Sequence, residues 1–132
     1  LDARDPSASY LVMAGQADGA QLSIPQIYDL KLEGVRLVTL SACQTALGER
    51  DPGSELTTLA DAFSIAGSNS VVASLWSVSD ESTKDLMVEF YGQLKQGKSL
   101  ANSLQSAEIK LIQSGRSHPF YWAPFVLIGD WR

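Results

Sequence analysis

The 132-residue chain has one cysteine and one histidine, and neither has a second copy to work with. A single cysteine excludes an internal disulfide and any site built from several thiolates. One cysteine and one histidine, Cys43 and His118, leave too few ligands for a metal, so no metal and no cofactor is expected. Basic residues are also scarce: 10 Lys and Arg stand against 15 Asp and Glu, and the net charge is −5. They are scattered singly and form no basic patch, which argues against nucleic acid as a direct partner. No apolar run reaches 18 residues and the given residues contain no basic-then-apolar stretch, so nothing in them points to a membrane span or export. Repeats, low-complexity tracts and dividing linkers are absent too. The chain begins without Met, which suggests a piece of a longer protein.

The apolar fraction of 45% and charged fraction of 19% belong to a globular domain. Elements alternate along it. Tyr10–Ala14 reads as a short buried strand and Gln21–Ser23 as a brief one. Ser23 is placed to cap a short helix with Pro25 in its first turn. Val35–Leu40 has four apolar residues in six and reads as a strand. Ser41–Ser54 reads as a long loop, which in a compact domain is often functional. Thr57–Ala66 is expected to be helical, with Leu56, Leu59, Ala60 and Phe63 on one face and Gly67 as its stop. Ser70–Leu75 reads as a second buried strand. Ser77 or Ser79 then caps a helix to about Gln96, and Ser99 opens another that Gly115 ends. Phe125–Gly129 is a last strand. Nearly continuous apolar strands between helices indicate an α/β fold, a mostly parallel sheet with helices on both faces.

The stretch Leu40-Ser41-Ala42-Cys43-Gln44-Thr45 leaves the carboxyl end of a strand, where α/β proteins gather ligands and catalytic groups. A thiol presented there among small neighbours is a candidate nucleophile; the competing reading is a small buried apolar residue. Asp80 stands four residues beyond Trp76, where a buried strand gives way to a helix. As a first-turn carboxylate it favours the helix dipole, and Ser77-x-x-Asp80 fits a capping box. Trp76 and Trp122 read as core or pocket wall.

In series, Leu40–Thr45, Glu55, Leu59–Gly67, Val71–Asp80, Leu86–Tyr91, His118–Phe125 and Ile128-Gly129 resemble the CHAT domain. This is a caspase-like and separase-like cysteine peptidase module, often following tetratricopeptide repeats in bacteria. The resemblance covers nearly the whole chain from about Tyr10 and implies a single partial domain over residues 1–132. It also implies a caspase-like three-layer α/β/α architecture lacking some amino-terminal strands.

For function, the resemblance implies a cysteine endopeptidase cutting a protein or peptide partner. Cys43 becomes the nucleophile and a backbone donor to the oxyanion, and Ser41 and Ala42 the floor under the scissile bond. Asp80 maps to a carboxylate that receives a basic side chain of the substrate, through two parallel hydrogen bonds where that side chain is arginine. In caspases the histidine lies roughly 50 residues before the cysteine, so the base is expected ahead of residue 1. His118 follows Cys43 by 75 residues, the wrong order, and reads as a satisfied, partly buried structural histidine. The alternative is a non-catalytic scaffold or signalling module attached to upstream repeats. A reducing cytoplasm suits the single thiol.

Overall fold

A computed structural model describes residues 10–13, 20–40 and 52–132. In chain order the elements are β1 (Tyr10–Met13), β2 (Ala20–Ser23), α1 (Ile24–Tyr28), β3 (Val38–Leu40) and α2 (Pro52–Ile65). They continue with β4 (Ser70–Ser74), α3 (Asp80–Lys95), α4 (Leu100–Gln113), α5 (Pro119–Trp122) and β5 (Phe125–Gly129). The chain is thus α/β in composition, with helices and strands interleaved. No described helix is long and apolar enough to cross a membrane.

Serine decides where three helices begin. Ser23 caps α1 reciprocally, accepting from the Gln26 N–H while its own N–H reaches Gln26 Oε1 at 2.9 Å. Ser79 caps α3 and Ser99 caps α4, each hydroxyl accepting the N–H three residues on at 3.3 Å. Ser79, not Ser77, is therefore the cap, and Ser77 is exposed. The capping box expected between Ser77 and Asp80 does not form.

β3, β4 and β5 make one sheet in that order, with β4 central. β3 runs parallel to β4, whereas β5 runs antiparallel to it. β1 and β2 form a separate antiparallel pair. The expected mostly parallel sheet is thereby corrected: of the described strand pairings, one is parallel and two are antiparallel. Apolar continuity marks a strand as buried but carries no direction. The strand expected from Val35 shortens to Val38, because Gly34 at φ +88° turns the chain and the Val35 N–H bonds back to the Leu32 carbonyl. Tyr10, expected to be buried, is exposed and Leu11 is half-buried.

Alternation along the central strand builds two cores. Val71 and Ala73 point to one face, where Ile24 and Ile27 of α1 meet Leu59, Ala60, Ala62 and Phe63 of α2. Val72 points to the other, against Leu86 and Phe90 of α3 and Leu100, Leu104, Ala107 and Leu111 of α4. Helices therefore cover both faces of β4. Gly129 closes the sheet where no side chain fits: its φ is +100° and a Cβ would lie 2.4 Å from the Asn69 carbonyl oxygen.

Candidate active site

The sheet brings three separate stretches to one edge. In the parallel ladder Leu40 sits opposite Ala73, so β3 and β4 end side by side at the edge from which Leu75–Asp80 continues. β5 runs the other way, so its first residue, Phe125, pairs with Ser74 at that edge. The Leu75 N–H donates to the Pro124 carbonyl at 2.8 Å, which carries the pairing one step past the strands. Residues 117–124 are thus placed beside the end of β4. Tyr91 of α3 reaches across to β3, with its hydroxyl 2.8 Å from the Thr39 hydroxyl.

Asp80 opens α3 at this edge and is exposed. As the first residue after the cap, its carboxylate complements the exposed N–H groups of the helix start. Glu81 and Asp85 share that end of α3, and Arg116, just past α4, takes both. Its guanidinium donates to Asp85 Oδ2 at 2.7 Å and lies 3.0 Å from Glu81 Oε1, with the side chain 23% exposed. The Asp85 hydrogen bond raises the Arg116 pKa further above its ordinary range, and the Glu81 charge adds to it. Among the described residues no cation pairs with Asp80.

His118 caps α5, a four-residue helix with Pro119 at its start. Its Nδ1 accepts the Phe120 N–H at 3.2 Å. The expected structural role is what the geometry shows, but the expected partial burial is not: the side chain is exposed, because the cap faces outward from the sheet edge. The α5 segment is cross-braced. Trp76 Nε1 donates to the Phe120 carbonyl at 3.0 Å, and Trp122 Nε1 donates to the Ser117 carbonyl at 3.1 Å. Both tryptophans are half-buried, in keeping with a packing role. Phe120 and Tyr121 project outward, 45% and 36% exposed, as an edge-to-face pair with ring centroids 5.6 Å apart.

Of the residues singled out from sequence, Cys43, Ser41 and Ala42 lie outside the described residues. Asp80, Trp76 and His118 are brought to the edge at which β3 ends with Leu40. Arg116, Phe120 and Tyr121 were not anticipated. An arginine directly after the Ser114-Gly115 helix stop, and three consecutive aromatics after His-Pro, were the signals available. No group of three or more His, Cys, Asp or Glu side chains suited to a metal occurs among the described residues. A cavity of about 250 Å³ lies between α3 and α4, lined by Asp85, Val88, Ala107, Leu111 and the Glu89–Lys110 ion pair.

Comparison with known sequences gives a consistent picture. The family model described as the CHAT domain matches residues 1–130. The mouse protein named tetratricopeptide repeat protein 28 is 39% identical over 111 residues, which is 83% of this chain and 4% of that protein. Its human counterpart is 34% identical over the same length and shares. The chain therefore corresponds to a small part of either relative.

Proposed function

This chain belongs to the CHAT domain family, a group related to caspase-like peptidases, and on that premise we propose that it carries the nucleophile of a cysteine endopeptidase. The observation that best supports the reading is the Leu40–Ala73 register. It ends β3 at Leu40, three positions before Cys43 in the sequence, beside the end of the strand that leads to Asp80. In this reading the Cys43 thiolate attacks the scissile carbonyl carbon, and the Cys43 N–H steadies the oxyanion above the small residues Ser41 and Ala42. The carbon–nitrogen bond breaks, the amine leaves with a proton from a histidine, and water then hydrolyses the thioester. That histidine comes from polypeptide ahead of residue 1. His118 is a poor candidate, since its Nδ1 is committed to the start of α5.

Asp80 selects the substrate in this scheme. An exposed carboxylate without a described cation partner can receive an arginine or lysine side chain from a protein substrate. No cofactor enters the chemistry. The relatives' names point to tetratricopeptide repeats as the attached or associated module, and a caspase-like arrangement in a reducing cytoplasm completes the reading.

The test is the pH dependence of Cys43 alkylation, in this chain and in the polypeptide extended by ~60 residues ahead of it, the reach of a caspase-type histidine. A depressed thiol pKa in the longer form only, with cleavage abolished by Cys43→Ala, is the expected result. A slow, ordinary thiol in both forms would transfer the assignment to a non-catalytic scaffold.

A further inference from the structure

We propose that Phe120 and Tyr121 form an apolar subsite that receives a large apolar side chain of the same peptide whose basic side chain is held at Asp80. The proposal rests on the reading above and adds a second specificity element to it. Four observations carry it. Both rings are exposed, although they sit in a segment whose neighbours, Trp76 and Trp122, are half-buried and hydrogen-bonded. The backbone beneath them is fixed by the His118 cap, by Trp76 at the Phe120 carbonyl and by the turn bond from the Ala123 N–H to the Pro119 carbonyl at 2.9 Å. A shelf held this way loses little conformational freedom when a ligand covers it.

The other two observations concern position. Phe120 is tied directly to Trp76, which stands four positions before Asp80. An extended peptide advances about 3.3 Å per residue, so one ligand of several residues can occupy both places. Arg116 fixes the spacing. It stands two residues before His118 and grips Glu81 and Asp85, which couples the α5 segment to the start of α3. It also occupies the two carboxylates nearest Asp80 along the helix. Asp80 is thereby the carboxylate at this end of α3 that has no cation among the described residues. The occupant is a peptide because the edge pairs an acidic group with aromatic faces at a separation an extended chain spans.

The experiment uses the full-length protein with Cys43→Ala, so that ligands bind without turnover. It measures the affinity of four fluorescent peptides that pair either Arg or citrulline with either Phe or Ala two positions away. The Phe/Arg peptide is expected to bind best. Phe120→Ala should weaken Phe-containing peptides about tenfold and leave Ala-containing ones within twofold; Tyr121→Ala should act in the same direction. Phe120→Ala keeps the backbone carbonyl that Trp76 uses, and unchanged tryptophan fluorescence would confirm that the shelf persists. Asp80→Asn should remove only the preference for Arg over citrulline. If Arg is preferred but Phe120→Ala weakens Phe and Ala peptides equally or not at all, the subsite is wrong and the Asp80 reading survives. If no peptide binds measurably, or citrulline equals Arg, the underlying reading falls and takes the subsite with it.

Discussion

Replacing Glu108 by Gln should stabilise the domain at pH 8 and leave it nearly unchanged at pH 4. Glu108 sits on α4 directly after buried Ala107, with Leu104, Leu111 and Ile112 as its neighbours one helical turn away. Among the described residues no cation pairs with it. Desolvation pushes its carboxyl from an ordinary 4.5 up to about 7. The sign follows from proton counting. Between about pH 4.5 and 7 the unfolded chain has lost the proton while the folded chain keeps it, so stability falls as pH rises through that interval. At ~1.36 kcal/mol per pH unit the ceiling is about 3.4 kcal/mol. Glu108 is only half-desolvated, and screening by water reduces this to roughly 1–2 kcal/mol. Urea unfolding followed by tryptophan fluorescence at pH 4, 6 and 8 measures it. Glu108→Gln should show a growing advantage across the series and a flatter profile above pH 4.5. An advantage of equal size at pH 4 and pH 8 would refute the desolvation argument.

Three further outcomes are expected. Gly129→Ala should destabilise by several kcal/mol, since it combines positive φ with a 2.4 Å approach to backbone that cannot yield; thermal unfolding reads this, and a change below 1 kcal/mol would show that the Asn69 turn can move. His118→Ala should cost about 1 kcal/mol of stability, with Asn restoring most of it as an alternative cap, while cleavage by the full-length protein changes little; a hundredfold loss of turnover in a folded His118→Ala protein would instead make His118 catalytic. Asp80→Asn should lower kcat/KM for Arg-site peptides by tenfold or more without altering Cys43 alkylation, and equal turnover of such peptides would remove Asp80 from the pocket.

What could be read from sequence follows from how local each signal is. The α3 and α4 helices were legible because serine caps, apolar spacing and a closing glycine all fall within the segments themselves. Of the inward stripes that apolar spacing predicts, Leu86, Met87, Phe90, Tyr91 and Leu94 in α3 and Leu100, Leu104, Ala107, Leu111 and Ile112 in α4, all are buried or half-buried except Tyr91, which is exposed and pairs with the Thr39 hydroxyl. The direction of β5 was not legible. It depends on how α3 and α4 return the chain to the sheet, and Phe125–Gly129 would look the same in either direction. Pro52 was read as part of a loop, yet it begins α2, where a missing N–H has no cost. The His118-Pro119 pair carried the same kind of signal for α5 and was passed over because four residues give no periodicity. At the site, Asp80 was legible as a position beyond a strand end. The Arg116 grip on Glu81 and Asp85 was not, because it joins residues about thirty positions apart that meet only after α3 and α4 pack.

The central strand has a consequence for how the domain comes apart. Val71 and Val72 are adjacent residues, yet they belong to opposite cores and neither is exposed to solvent. Each helical layer can loosen while the other remains closed, but neither can be lost entirely without stripping one side of β4. In hydrogen-exchange terms the amides of Ser70–Ser74 should be the slowest in the molecule, opening only with global unfolding, whereas α1 with α2 and α3 with α4 should behave as two separate exchange units. A binding event at the carboxyl edge would then slow exchange in the α3–α4 unit first, because Asp80 and the α5 shelf are anchored to that layer.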